Sequence, residues 1–133
     1  MTTTDVHQLK IQRDSVCMAD DMDAPHEDQI VVANWSVGTV ATTIINRHYL
    51  ALISGGLATW ILRTDDYDGT PIAVIAQQWQ DPKFLVPESS SILEMVRDRD
   101  SPSAYLQYYC QVDPDCVLSA LRNGQPLPDQ YGR

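Results

Sequence analysis

The chain has 133 residues, 44% of them apolar, and a net charge of −9. That length supports one domain with a single core, residues 1–133, that needs no metal or disulfide staple, and the apolar share excludes a disordered chain. The charge argues against binding nucleic acid or an anionic membrane through a basic face, and no apolar run approaches the roughly 18 residues needed to span a bilayer.

The opening MTTTDVHQLKIQRD has no apolar stretch behind a basic start, so it does not read as a secretory signal. The cysteines, Cys17, Cys110 and Cys116, are odd in number, which fits a reducing compartment better than an oxidised framework. A cytoplasmic protein is expected. Val6 to Arg13 alternates, with Leu9 and Ile11 on one face and Gln8, Lys10 and Gln12 on the other, which predicts a half-exposed strand. Residues 14–28 keep no period and carry Pro25 among many aspartates, so they read as a long acidic loop. Structureless loops of that length are uncommon in compact domains and are often functional.

Gln29 to Trp35 reads as a second strand. In the next segment Val37, Val40, Ala41, Ile44 and Ile45 form one helical stripe behind a Ser36 cap. Valine, threonine and isoleucine favour strands, but the stripe predicts a short helix over Val37 to Arg47. Residues 49–79 then form the expected centre of the fold. Three apolar runs are separated by Gly55-Gly56 and by Asp65 to Gly69, the pattern of an antiparallel meander, with Gly69 suited to a left-handed conformation. The third run, Ile72 to Ala76, is apolar at both parities and should be covered on both faces. Asp81-Pro82 ends the sheet. Ser89, Ser90 and Ser91 offer caps for a helix reaching about Arg99, with Ile92, Leu93 and Val96 inward.

Residues 103–112 fit both a helix and a strand, and three tyrosines favour the strand. Asp113 to Gly124 carries the full set of helix signals: Asp113 as cap, Pro114 at the first position, Arg122 in the last turn and Asn123-Gly124 as the stop. The tail, 125–133, is Pro-rich and polar and should be extended. These elements predict an α+β domain: a mainly antiparallel sheet of about five to six strands, with two to three helices packed mostly on one face.

Function has to be read from charge, because no Walker A, G-x-G-x-x-G or G-x-S-x-G pattern occurs and enzyme activity has little support. No Lys or Arg lies between Arg13 and Arg47, where Asp14, Asp20, Asp21, Asp23, Glu27 and Asp28 are found. One reading is a solvated surface; the other is an acidic face for a basic protein partner. In size and charge alone the chain resembles toxin-immunity proteins and nuclease inhibitors. Asp20, Asp21, Asp23, Glu27 and Asp28 are the expected contact residues. Tyr67 and Trp79, with Gln77, Gln78 and Gln80, would add an aromatic patch if a sheet face is left open. A second reading takes Cys17 and His26 as ligands for a divalent metal such as zinc; otherwise no cofactor is expected. A third is a structural or oligomeric module without a catalytic site. Cys110 and Cys116 are expected as buried thiols, with the helix dipole able to lower the Cys116 pKa.

Overall fold

Our computed structural model describes residues 7–14, 27–46, 58–109 and 112–128. Within them, β1 (His7–Arg13) and β2 (Glu27–Val32) form an antiparallel hairpin, followed by α1 (Val37–Asn46). Strands β3 (Thr59–Thr64), β4 (Pro71–Ala76) and β5 (Lys83–Phe84) run as an antiparallel meander. Strand β6 (Ser103–Tyr108) and helix α2 (Pro114–Asn123) complete the order. The six strands form one sheet in the order β2-β1-β6-β3-β4-β5. β6 is inserted between β1 and β3, parallel to β1 and antiparallel to β3, so the sheet is mixed but mostly antiparallel. The fold is α+β, as expected. The first run of the expected meander, 49–54, and its Gly55-Gly56 turn lie outside the described residues.

Pleating sends successive side chains to opposite faces, and each face has its own cover. Leu9 and Ile11, Ile30 and Val32, Trp60 and Leu62, and Ala104 and Leu106 make one face, on which α1 lays Val37, Val40, Ala41 and Ile44. On the other face Ile61 and Val74 meet Val117 and Leu118 of α2, with Trp79, Leu85 and Leu127 alongside. The two α-helices therefore lie on opposite faces, a correction to the expectation that helices pack mostly on one. The physical reason is the double apolar parity of β3 and β4: Ile61 and Val74 need a cover of their own. Across β1 and β6, the α2 side instead carries Lys10, Gln12, Tyr105 and Gln107, opposite the buried Leu9, Ile11, Ala104 and Leu106.

The strong local signals form what they predict. In α2, Asp113 Oδ1 accepts the Asp115 N–H at 2.9 Å, Pro114 holds the first position, and Gly124 takes a left-handed φ of 65°. The helix expected over residues 89–99 does not form. Only a 3₁₀ turn, Ile92–Glu94, follows the Ser91 cap. The Arg97 N–H bonds Asp65 Oδ1 at 2.9 Å, so a tertiary bond takes the donor a continuing helix would need. At the β3–β4 turn it is Asp65 that takes positive φ, 64°, and Gly69 does not. Gly69 serves close approach instead: a Cβ there would stand 1.5 Å from the Thr64 carbonyl oxygen.

Asp14, expected as the start of the acidic loop, is a structural residue. Its carboxylate accepts the Tyr105 hydroxyl and, at 2.9 Å, the Tyr108 N–H. Burial first, and this carboxylate second, push the Tyr105 phenol up to about 12. An unfolded tyrosine titrates near about 10. The raised folded value stabilises the fold fully below about pH 10, and that contribution is lost as pH rises through about 12. Spectrophotometric titration at the tyrosinate band, with Tyr105→Phe as the reference, should show Tyr105 titrating late. Asp14→Asn should bring it only part of the way down, because burial is the larger cause; a full return to the ordinary value would refute that ranking.

Candidate functional site

Among the described residues, a concavity lies where the segment after β4 docks against the start of α1. Ser36 caps the helix: its Oγ accepts the Thr39 N–H at 3.2 Å and donates to Thr39 Oγ1 at 2.8 Å. Val40 N–H bonds the Ser36 carbonyl at 3.0 Å. The other two first-turn donors are met from outside the helix, Val37 N–H by the Ser90 carbonyl at 2.8 Å and Gly38 N–H by the Glu88 carbonyl at 3.0 Å. Gly38 permits this approach, since a Cβ there would lie 3.3 Å from Glu88 Cβ. A bridge between Ser36 and Ser91 closes the contact.

A cleft of about 540 Å³ opens beside this junction, within the ordinary size range of ligand sites. Its helix wall offers the hydroxyls of Ser36, Thr39 and Thr42. The opposite wall is Pro82, Phe84 and Ser89, with the carboxylates of Asp81 and Glu88. Both acids are exposed, and neither is hydrogen-bonded or ion-paired through its side chain among the described residues. Helix N-termini commonly bind anions through free N–H groups. Here every first-turn N–H is already bonded, and the charged groups at the rim are anionic. The arrangement suits a cation with an apolar stem, such as a lysine or arginine side chain laid over Phe84.

Of the residues expected to bind a partner, the four that are described, Glu27, Asp28, Tyr67 and Trp79, do not form one patch. Glu27, at the start of β2, pairs with Lys10 at 3.5 Å and accepts from Gln12 at 3.1 Å. The Gln12 bond first, then the Lys10 charge, hold its carboxyl below the usual range. Asp28 follows it on β2 and accepts the Gln29 N–H at 2.8 Å. Tyr67 sits in the β3–β4 turn, 64% exposed, edge-on to Tyr105. Trp79 lies beyond the far end of β4, packed against the α2 cluster with Lys83 Nζ 4.2 Å above its ring. The six residues of β4 separate the two aromatics, about 20 Å at roughly 3.3 Å per residue, so they do not form one patch. Asp20, Asp21, Asp23, Cys17 and His26 lie outside the described residues. Among the described residues no group of three or more His, Cys, Asp or Glu could hold a metal ion. Also among them, no helix is long and apolar enough to cross a membrane.

Cys110 lies outside the described residues, and Cys116 departs from its expected role. It is a free, exposed thiol. The Asp113 carboxylate raises its pKa, burial adding less, against the lowering expected from the helix end; Asp113 Oδ2 stands 3.7 Å from the sulfur. A full negative charge at that distance outweighs the partial charge of a helix terminus. Asp113→Asn should keep the cap, since asparagine caps as well as aspartate, while speeding alkylation of Cys116 at neutral pH. An unchanged alkylation rate with intact helicity would remove Asp113 as the cause.

Asp81 and Glu88 were not legible as site residues. They lie seven positions apart, each next to a proline, and only the docking of their segment onto α1 puts them on one cleft. Comparison with known proteins finds no family model, no curated protein and no solved structure that matches this chain.

Proposed function

We propose that this α+β chain is a small acidic protein-binding module, of the immunity or inhibitor kind, that neutralises a basic protein partner in the cytoplasm. The observation that supports it best is the pair of unpartnered carboxylates, Asp81 and Glu88, on a cleft whose helix-end donors are all internally bonded. Such a cleft attracts cations, and the carboxylates at its rim repel anions. The net charge of −9 extends the same preference over the whole molecule, so a basic partner would be steered in before contact.

The test is capture from the source organism's lysate at low and high salt, followed by kinetics on the retained basic protein. The association rate should fall steeply with ionic strength, as steering charges are screened over about 10 Å at 0.1 M salt. The double variant Asp81→Asn/Glu88→Gln should weaken binding by about tenfold, or roughly 1.4 kcal/mol. Neutralising Asp20, Asp21 and Asp23 together should slow association further. A salt-insensitive complex, or one indifferent to both sets of changes, would end the proposal.

A further inference from the structure

The two edges of the sheet are not equally protected. β5, at one edge, is two residues long and flanked by Pro82 and Pro87, and short, proline-bounded edges resist pairing with another chain. β2, at the other, is six residues long, in unbroken register with β1, and contains neither proline nor lysine. Among the described residues, no strand pairs with its outer side.

Hydrogen bonding in β1 identifies which groups β2 turns outward. Lys10 N–H bonds the Pro102 carbonyl at 3.2 Å and Asp14 N–H the Leu106 carbonyl at 3.0 Å. Even-numbered residues of β1 thus direct their backbone at β6, and His7, Leu9 and Ile11 direct theirs at β2. Their register partners are Val32, Ile30 and Asp28. In an antiparallel pair a residue exchanges both its bonds with one neighbour or with none, so Glu27, Gln29 and Val31 present N–H and C=O to the open edge. The Gln29 N–H fits this, bonding Asp28 Oδ1 instead of β1. Val31 has no such local partner, and its side chain, 61% exposed, is among the largest apolar exposures described.

We propose that the outer edge of β2 receives an extended segment of the basic partner as an added strand, with the Val31 N–H and C=O as central backbone contacts. The identity of the occupant rests on the functional reading above; the open edge does not. Val31 and Glu27 lie four positions apart on the same pleat face. The added segment would therefore place an apolar residue beside Val31 and a lysine or arginine four positions away, beside Glu27. A second copy of this chain is disfavoured as the occupant, because each copy carries −9.

The probe is a capped peptide with one apolar residue and one lysine at that spacing, otherwise serine and threonine, together with its N-methylated form. With the peptide, amide exchange at Val31 should slow at least tenfold while Ile30, already bonded to β1, changes little. The N-methylated peptide should not bind. Val31→Pro removes an outward N–H without breaking a β1 bond, and Val31→Lys opposes a basic strand by charge; each should weaken peptide binding at least tenfold with the fold intact by circular dichroism. Absent binding, or shifts confined to the Asp81/Glu88 cleft, would overturn strand addition while leaving the salt-sensitive partner reading standing. A dimer abolished by Val31→Lys would overturn the basic segment as occupant.

Discussion

Gly69→Ala is expected to destabilise the fold by about 4 kcal/mol, near the upper end for single substitutions. An added Cβ would stand 1.5 Å from the Thr64 carbonyl oxygen and 2.6 Å from its carbon. Both are backbone atoms, so no side-chain rotation relieves the clash. The turn would have to open, and much of the β3–β4 junction depends on it. Gly69 N–H bonds the Asp66 carbonyl at 2.8 Å, its carbonyl accepts Arg63 Nη1 at 3.0 Å, and Thr64 N–H bonds the Thr70 carbonyl at 3.0 Å. Asp65, in the same turn, holds Arg97 and receives the Ser103 hydroxyl at 3.1 Å. Denaturant unfolding measures the loss. Gly124→Ala is the informative comparison: its φ is 65° but nothing lies within 4 Å of the new Cβ, so only backbone strain of about 1 kcal/mol is added. Equal losses at the two glycines would show that the turn yields easily and that the close approach is unimportant.

Trp60→Ala is expected to cost about 3–5 kcal/mol through lost burial and the cavity left behind. Trp60 is 1% exposed on β3, on the face that α1 covers. Its register partner on β6 is Tyr108, with ring centroids 5.0 Å apart. Because β6 links the β1–β2 hairpin to the β3–β5 meander, a cavity here loosens the joint between them. Trp60→Phe should recover most of the loss. Partner binding by the folded fraction should stay unchanged, since neither the cleft nor the β2 edge includes Trp60. A loss below about 1 kcal/mol in Trp60→Ala would mean that the core closes over the gap, contrary to the close packing of interiors.

The legible parts of the fold share a property: their determining bonds are local or their apolar pattern is unambiguous. α2 could be read from end to end because Asp113, Pro114 and Gly124 act within one turn of their own helix. α1 followed from its stripe, which tertiary burial of Val37, Val40, Ala41 and Ile44 supports against weak intrinsic propensity. β6 is the exception: its apolar pattern fitted a helix as well, and its three tyrosines favoured the strand that forms, with Ala104 and Leu106 inward. The segment 89–99 was misread because its competitor, Asp65, is 32 residues upstream of Arg97. Gly69 was read as a left-handed residue when Asp65 carries the positive φ; composition marks a turn but not which position bears the strain.

Taken alone, the order of residues determined the class of the domain, the places of both helices, the double-sided burial of β4 and the strongly acidic surface. Each depends on period, on capping within a few residues, or on a sum of charges, and none requires knowing what lies nearby in space. Only the tertiary structure decided that β6 runs parallel to β1 between it and β3, that α2 covers the face opposite α1, that Asp81 and Glu88 meet on one cleft, and that Val31 turns its backbone away from β1. Those outcomes depend on which strands find each other across long separations, and pairing energy resides in contacts that no local pattern encodes.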